Sequence, residues 1–369
     1  MTDLRSLTQE ILAQEEVIKQ GGRPRGIARQ KRLNRLTARE RLVLLLDEDE
    51  PFFELGIWAG YQMYERWGKI PAAGVVCGIG RIAGRNAMII ANDATVAAGA
   101  MFPQSVKKVL RAQRIAYNCR LPIIYLVDSS GVFLPLQDEI FPDEDDFGRI
   151  FRNNAVLSAC GIPQFSAIMG NCIAGGGYLP VLCDKLLMTK GSGLYLAGPA
   201  LVKSAIGQEV DSETLGGSRM HADISGTVDF EEKDDPSCIQ RLRTLLGYLP
   251  EDSPQPVCRR AELDSDRFYR IVGSDGRNEY DALELLKGIA DAGSISEYKT
   301  GYGKTVVCCF ARLNDSPVGI LANQRQHVKT GKGEIQLGGV LYSDSADKAA
   351  RFVMNCNQDR IPLLFIQDV

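Results

Sequence analysis

The chain has 369 residues, of which 45% are apolar, a content that can fill more than one hydrophobic core. Its 43 basic and 46 acidic residues give a formal charge of −3, which excludes a chain-wide attraction to nucleic acid or to an anionic membrane surface. No apolar run approaches the roughly 18 residues of a membrane span, and the polar, acid-containing start is unlike a signal peptide. We therefore expect a cytoplasmic protein, or a mitochondrial matrix protein in a eukaryote, although no transit peptide is recognisable.

The first element is a polar segment, predicted to be helical from about Leu4 to Asp47, within an N-terminal helical region of residues 1–60. Nine Lys or Arg residues lie between Lys19 and Arg41, with Glu40 as the one acid. Such a run is commonly a solvated helix face. It is also compatible with contact to an anionic ligand, such as the phosphates of a nucleotide-like cofactor, and both interpretations stay open.

Two later parts of the chain repeat one another. Both contain a basic residue, an apolar strand, an asparagine 11 residues on, an amphipathic helix with a lysine 14 residues before a proline, and a second apolar strand ending at an aspartate. The landmarks are Arg81, Asn92, Lys108, Pro122 and Asp128 in the first part, and Arg312, Asn323, Lys348, Pro362 and Asp368 in the second. Repetition at several landmarks favours a duplicated α/β unit over chance similarity of helix-strand pairs.

These patterns predict the domain organisation. Residues 61–250 form a first α/β domain, and the proline-rich stretch that follows opens a linker at 251–280. Residues 281–369 begin a second domain. Because the first repeat continues for about a hundred residues after its aspartate and the second stops one residue after Asp368, the second domain is expected to be incomplete in this chain.

The sharpest local signal is the stretch Gly170–Tyr178, with glycines at 175, 176 and 177 between a predicted strand and a predicted helix. Glycines at a helix start expose backbone N–H groups at the positive end of the helix dipole. Donors at Gly175 and Gly176 could therefore hold a thioester oxygen that becomes an enolate. Close packing of a helix on a sheet is the alternative explanation of the same glycines.

The loop Asp128–Gly131 ends the preceding strand, where open α/β sheets place ligand sites. A following acidic stretch suggests a metal, but its alternating prolines and aromatics favour a surface loop. The two histidines, His221 and His327, leave little material for a metal centre or a Ser-His-Asp triad. Ten scattered cysteines without C-x-x-C spacing indicate reduced core thiols. No metal is expected, and His221 is predicted to be structural.

Eight motifs follow one another in the order seen in the carboxyltransferase β subunits of biotin-dependent acyl-CoA carboxylases, which the chain resembles over essentially its full length. The methylcrotonyl-CoA carboxylase type is the most similar. The motifs are Leu36-Thr-Ala-Arg-Glu-Arg41, Ala91-Asn-Asp93, Leu126-Val-Asp-Ser-Ser-Gly131, Gln137-Asp-Glu139, Phe147-Gly-Arg-Ile-Phe151, Gly161-Ile-Pro-Gln164, Ala174-Gly-Gly-Gly177, and Leu215-Gly-Gly217 with His221 and Ser225-Gly226.

The resemblance implies a fold of two crotonase-like domains and a reaction that moves a carboxyl group from carboxybiotin, carried by a partner carrier domain, to an acyl-CoA. In that family the biotin nitrogen removes the proton, so the protein needs oxyanion holes rather than a histidine base. The implied partners are a biotin carboxylase, a biotin carboxyl carrier subunit and further copies of the chain, as a hexamer, without nucleic acid or direct membrane contact. The implied site residues are Gly175 and Gly176 as catalytic donors, Ser130, Gly131, Phe147, Ala174, Gly177 and Tyr178 around the substrate, and Arg39 and Arg41 on the CoA phosphates.

Three alternatives remain. Gly177-Tyr178 and Ser130-Gly-Val132 also resemble the α subunit of glutaconyl-CoA decarboxylase, which runs related chemistry towards carbon dioxide release. The family's second oxyanion hole would lie beyond Val369, which leaves a non-catalytic crotonase-like scaffold open. A plain enoyl-CoA hydratase or isomerase would need a carboxylate beside the glycines, and none is well placed.

Overall fold

A computed structural model describes residues 3–249, 261, 265–273, 276, 278–330, 333–359 and 361–369. The chain divides into two compact units. The larger unit comprises residues 13–251 and the smaller unit comprises residues 1–12 and 252–369. Most of the linker predicted at 251–280 lies outside the described residues, so that prediction remains untested.

Helices and strands alternate along the described chain, as an α/β fold requires. The α-helices are α1 Leu4–Lys19, α2 Pro24–Arg32, α3 Ala38–Leu45, α4 Pro103–Cys119, α5 Phe147–Ala159, α6 Tyr178–Val181, α7 Pro199–Ile206, α8 Ser212–Gly216, α9 Asp235–Gly247, α10 Phe268–Ile271, α11 Ala282–Leu286 and α12 Ser343–Asp359. The strands are β1 Phe53–Glu54, β2 Val75–Ile82, β3 Arg85–Asn92, β4 Ile123–Ser129, β5 Gln164–Ile173, β6 Lys185–Thr189, β7 Gly193–Tyr195, β8 Phe230–Glu232, β9 Ser296–Tyr298, β10 Val306–Leu313, β11 Ser316–Asn323, β12 Val328–Lys329, β13 Ile335–Gln336 and β14 Leu363–Ile366.

The larger unit is built on one mixed sheet in the order β1-β2-β3-β4-β5-β6-β8, with β7 also paired to β5. Strands β1, β2 and β3 are antiparallel neighbours, whereas β3 to β6 and β8 run parallel. Parallel strands need crossover connections. Helix α4 is the crossover between β3 and β4, and α5 is the crossover between β4 and β5.

Helices cover both faces of this sheet because successive strand residues point to opposite sides. Tyr125 packs in a core with residues of α4 and α5, and its neighbour Ile124 packs in a second core with residues of α3 and α9. Every residue of β4 is buried. The strand that leads into the predicted Asp128–Gly131 loop is therefore held rigidly from two sides.

Helix α3 begins with a capping box that accounts for the motif Leu36–Arg41. The Thr37 hydroxyl accepts the Glu40 N–H, and the Glu40 carboxylate accepts the Thr37 N–H, which satisfies two N–H groups that the helix itself cannot pair. Beyond the cap, Leu42 and Leu45 pack against α9. The predicted helical N-terminal region thus consists of α1, α2 and α3.

The smaller unit has a sheet in the order β14-β11-β10-β9. Its hairpin β10-β11, the crossover helix α12 and the parallel strand β14 follow the same pattern as β2-β3, α4 and β4 in the larger unit. Lys108 and Lys348, which marked the repeat in the sequence, are both buried in these two helices. Cys308 and Cys309 lie on opposite faces of β10, as adjacent strand residues must, and belong to two different cores.

In the part of the chain that the structure describes, no helix is long and apolar enough to cross a membrane.

Candidate functional site

Strand β5 ends in a glycine turn. A short 3₁₀ helix, Ala174–Gly177, connects β5 to α6, and Ala174 enters it with a φ of 57°. The first N–H groups of a helix have no acceptor within it, and glycines leave no side chain above them. Gly175 and Gly176 are half-buried, while Gly177 is buried against Leu194. We call Ala174–Gly177 the glycine turn.

A second turn faces the glycine turn. Asp128 and Ser129 end β4, and Ser130 and Gly131 follow; Gly131 has a φ of 90°, which favours glycine. A Cβ placed on Gly176 would lie 3.8 Å from the Gly131 Cα. We call residues 128–131 the aspartate turn. Because β4 and β5 are parallel neighbours, both turns lie at the same edge of the sheet, where α/β folds bind ligands.

Aromatic rings border the two turns. Phe147, the first residue of α5, lies with Gly176 and Ser129 around a small cavity, and a Cβ on Gly175 would come within 3.1 Å of the Phe147 ring. Phe147 contacts Phe151 edge to face at 5.1 Å between centroids, and Phe151 contacts Tyr178 at 5.5 Å. Tyr178 remains half-exposed. The predicted residues Phe147, Gly175, Gly176 and Tyr178 therefore form one side of a single site.

The aspartate turn is tied down by hydrogen bonds. The Ser129 hydroxyl donates to Gly99 O at 2.7 Å and accepts the Gly131 N–H at 3.1 Å, while the Ser130 N–H donates to Ala98 O at 3.2 Å. Ser130 itself is exposed at the tip of the turn. Sequence reasoning named Ser130 and Gly131 but missed Ser129, whose place next to them in the motif was the available signal.

His221 has a structural position. One ring nitrogen, Nε2, lies 2.8 Å from Leu194 O, and Nδ1 lies 3.0 Å from the Ser225 hydroxyl. Leu194 belongs to β7, which pairs with the last three residues of β5 and also packs on Gly177. His221 thus braces the strand beside the glycine turn, in agreement with the structural role predicted for it.

Arg39 and Arg41 both form ion pairs within the protein, and the structure contradicts the predicted phosphate contact of Arg41, which is buried. Arg39 makes a two-point ion pair with Glu54, at 2.9 Å for each bond. The Arg41 side chain is only 1% exposed and pairs with Asp128 and Asp235. The Arg41 guanidinium is therefore closed to a CoA phosphate, whereas the Arg39 side chain is 25% exposed and held by Glu54. Their motif was recognisable in the sequence, but their partners were not: Glu54 lies 15 positions from Arg39, and the two partners of Arg41 lie 87 and 194 positions away.

A different part of the basic run forms an exposed cationic pocket in the larger unit. No carboxylate pairs with its charged side chains among the described residues. Trp67 contributes an aromatic wall. The pocket is defined by Arg23, Arg25, Arg29, Arg32 and Lys69, together with Trp67, Gly22 and Gly26. We call it the cationic pocket. Unpaired arginines are suited to phosphate, which they bind through paired N–H donors.

The acidic stretch behaves as a surface loop. Glu144 pairs with Arg149 at 2.9 Å and Asp145 lies 3.7 Å from the same guanidinium. Phe141 packs edge to face on Phe147. Within the described ranges, no group of three or more His, Cys, Asp and Glu side chains is placed to hold a metal ion.

The carboxyl transferase domain family profile matches residues 29–369. The chain is 43% identical over 95% of its length to the biotin-dependent 3-methylcrotonyl-coenzyme A carboxylase β1 subunit of Mycobacterium tuberculosis, and covers 64% of that relative. It is 33% identical over 98% of its length to the methylmalonyl-CoA decarboxylase subunit α of Propionigenium modestum, covering 69% of it.

Among solved structures, the geranyl-CoA carboxylase β subunit of Pseudomonas aeruginosa superposes with a TM-score of 0.79 at 30% identity. The match covers 97% of this chain and 63% of that one. The chain thus has the crotonase-like fold of carboxyltransferases and spans less than two thirds of these two carboxylase β subunits.

Proposed function

The chain belongs to the carboxyl transferase domain family, and on this premise we propose that it is the carboxyltransferase component of a biotin-dependent acyl-CoA carboxylase. One observation carries the proposal. The glycine turn and the aspartate turn face each other at the ends of β4 and β5, where a Cβ added to Gly176 would lie 3.8 Å from the Gly131 Cα. Such a cleft brings backbone donors to a flat carbonyl group without side chains in the way.

In the proposed reaction the thioester oxygen of an acyl-CoA lies at the glycine turn. Gly175 and Gly176 each donate a backbone N–H group to this oxygen. Both interactions strengthen as negative charge develops on that oxygen, so they favour the enolate-like transition state over the ground state. Phe147 and Tyr178 exclude water from one side, which strengthens the same electrostatic interactions.

The residues that line the cleft agree with a reaction in which the cofactor, rather than a side chain, accepts the proton. Around the small cavity under the turns the polar side chains are Asn92, Tyr125 and Ser129, with no histidine or carboxylate among the lining residues. When bound, carboxybiotin supplies the carboxyl group and the proton acceptor. The same lining disfavours the hydratase alternative, which requires a carboxylate beside the carbonyl.

The CoA end of the substrate is assigned to the cationic pocket. The 3′-phosphate and diphosphate of CoA are multiply charged, and arginine forks bind such oxygens in pairs. Trp67 offers a ring face on which an adenine can stack. This proposal places the CoA phosphates at cations other than Arg39 and Arg41, and it follows the interpretation, left open by the sequence, that the basic run contacts a nucleotide-like ligand.

The proposed partners are a biotin carboxylase, a biotin carboxyl carrier subunit and further copies of this chain. Exposed apolar side chains on and next to α6 and α7 support association with other chains. They are Val181, Leu182, Leu196, Leu201 and Ile206. No nucleic acid or membrane contact is proposed.

The experiment is a reconstituted assay with carboxylated carrier protein and a panel of acyl-CoA thioesters. Carboxylated product from one branched or unsaturated thioester is the expected result. No turnover with any thioester, under conditions where acyl-CoA binding is measurable, would favour the scaffold alternative. Hydration of an enoyl-CoA without carrier would favour the hydratase alternative.

The decarboxylase direction is the second candidate, because the methylmalonyl-CoA decarboxylase subunit α matches 98% of the chain. Both directions use the same turns. Incubation with carboxylated acyl-CoA and free biotin carrier distinguishes the two. The decarboxylase is assigned if the carrier is carboxylated much faster than the acyl-CoA is carboxylated in the opposite direction. The native partner would then be a membrane subunit rather than a biotin carboxylase.

A further inference from the structure

A buried group of charges lies behind the two turns of the candidate site. Arg41, on α3, donates from Nε to Asp235 at 2.8 Å and from Nη2 to Asp128 at 3.3 Å. The three side chains are at most 4% exposed. Charges withdrawn from water in this way persist only where partners compensate for lost hydration. We call these three residues the buried charge cluster.

Asp128 has a particular place in the cluster because it belongs to the aspartate turn and also contacts β5, the strand that leads into the glycine turn. It lies where the pairing of β4 with β5 shifts register, between Val127 and Ser129. One carboxylate oxygen, Oδ1, accepts the backbone N–H of Asn171 at 3.2 Å. Asp128 stands three residues before Gly131, and Asn171 stands three residues before Ala174. Its carboxylate therefore connects the strand ends that carry the aspartate turn and the glycine turn.

Two glycines allow the close packing around Asp128. A Cβ on Gly170 would lie 2.0 Å from Asp128 Oδ1, and a Cβ on Gly99 would lie 2.1 Å from the Asp128 carbonyl oxygen. Close packing of this kind transmits a displacement instead of absorbing it. A shift of the Asp128 carboxylate would therefore move the backbone of both turns.

Neutral donors complete the cluster. Two carboxylates face one guanidinium, and the excess negative charge is met by the Gln30 amide on Asp128 Oδ2 at 2.8 Å and by the Leu36 N–H on Asp235 at 3.0 Å. Arg41 also donates to Met169 O at 2.9 Å, on β5 itself. Helices α2 and α3 thus reach the site through Gln30 and Arg41.

We propose that Asp128, held by Arg41 and Gln30, is a positioning residue that sets the distance between the two turns. The proposal rests on the proposed function of those turns as the site that holds the thioester oxygen. A misplacement of about 1 Å at a reacting centre can lower a rate by about 100-fold. The charge cluster is thus a part of catalysis that touches neither substrate nor cofactor.

The test compares Asp128→Asn with Asp235→Asn. Both variants remove one equally buried carboxylate from the same guanidinium, but Asp235 begins α9 and contacts neither turn. Measured where both variants are folded, Asp128→Asn is expected to lower kcat about 10- to 100-fold with KM changed by no more than about threefold, and Asp235→Asn to leave kcat within about threefold of wild type. Equal losses of kcat would overturn the proposal.

A second readout does not depend on turnover. Hydrogen exchange of backbone amides is expected to accelerate in peptides covering 129–133 and 171–177 in Asp128→Asn, and near the start of α9 in Asp235→Asn. Unchanged exchange at both turns in Asp128→Asn would overturn the positioning role. Absence of turnover in the wild-type assay, with exchange as expected, would instead count against the proposed function alone.

A milder variant covers the case in which Asp128→Asn fails to fold. Gln30→Met removes one donor to Asp128 and leaves the Arg41 pairs in place. Loss of such an orienting partner is expected to lower kcat about tenfold. A kcat equal to that of wild type, together with unchanged exchange at 129–133 and 171–177, would overturn the role of Gln30 and with it the proposal.

Discussion

At the residue scale, the site depends on glycines, because they place no side chain between the two turns. Gly176 lies opposite Gly131 at methyl-contact distance and has no positive φ, so an alanine there would fit the backbone and still fill the space between the turns. Two other glycines are needed for structural reasons. Gly131 has a φ of 90°, and a Cβ on Gly170 would overlap the Asp128 carboxylate. Substitution at Gly176 therefore separates chemistry from folding.

We expect Gly176→Ala to lower kcat by about 100-fold, the loss typical for removal of one oxyanion donor, because the new methyl keeps the carbonyl away from the backbone N–H groups. The melting temperature should stay close to that of wild type. Steady-state kinetics with the accepted acyl-CoA and thermal unfolding measure the two quantities.

The matched control is Gly247→Ala, at the end of α9, where a Cβ meets no atom within 4 Å. It should leave kcat unchanged and stabilise the protein by up to about 1 kcal/mol. A Gly176→Ala enzyme with full activity would show that the glycine turn does not hold the thioester.

At the element scale, the N-terminal helices serve two different purposes. Helix α2 lines the cationic pocket with Arg25, Arg29 and Arg32. Helix α3 directs Arg41 inward to the buried charge cluster. The loop after α3 connects it to the β2-β3 turn and to α9 through Asp47. The basic run is thus neither one solvated face nor one binding site.

Arg29→Gln is expected to raise KM for acyl-CoA about tenfold with little change in kcat, since a charge-assisted hydrogen bond contributes about 1.5 to 3 kcal/mol to binding. The KM of the wild type should rise with salt more steeply than the KM of the variant. Initial rates at two ionic strengths measure both effects.

Lys190→Gln serves as the control, because Lys190 lies near Glu231 outside the cationic pocket. Its KM for acyl-CoA, and the change of that KM with salt, should match those of wild type. An Arg29→Gln enzyme with unchanged KM and unchanged salt dependence would exclude the pocket as the CoA phosphate site.

Asp47 predicts a pH-dependent contribution to stability. Burial raises the pKa of this carboxyl, but the N–H groups of Gly84 and Ala83 and the Arg243 guanidinium outweigh it, and the pKa is lowered overall. A pKa that is lower in the folded state means that the stabilisation is complete above the unfolded value of about 3.9 and is lost as the pH falls through the folded value.

Asp47→Asn should therefore unfold at a lower temperature than wild type at pH 7, and the difference should shrink below about pH 4. Glu48→Gln, on an exposed neighbour, is the control and should follow wild type at every pH. Melting curves between pH 7 and pH 3 test this, and a constant difference across that range would contradict it.

At the scale of the whole molecule, the cores of each unit are closed to solvent. The reactivity of the buried cysteines therefore shows whether a core stays closed. Burial raises the pKa of Cys77 to about 11, of Cys172 to about 12 and of Cys309 to about 12. Cys172 lies under the glycine turn, with its Sγ 3.5 Å from Gly176 O. Among the described cysteines, Cys119 is the one that is exposed.

In native protein at pH 8, a thiol reagent should react quickly with Cys119 and slowly with Cys77, Cys172 and Cys309, because a buried, protonated thiol is a poor nucleophile. Denaturant should release all ten thiols of the sequence. Stopped-flow reaction followed by peptide mass mapping identifies the sites. Cys119→Ser should remove that fast reaction. Rapid modification of Cys172 would mean that the glycine turn opens in the native protein.

The sequence alone determined the α/β class and located the glycine turn and the aspartate turn, because each depends on neighbouring residues and on the periodicity of strands and helices. It could not determine which arginines are free. Arg41 pairs with Asp128 and Asp235, which lie 87 and 194 positions further along the chain, and Arg39 on α3 pairs with Glu54 on β1. Charge pairing between distant segments depends on distances that no local pattern contains. For that reason the tertiary structure alone decided that Arg41 is buried in ion pairs while Arg23, Arg25 and Arg32 stay exposed.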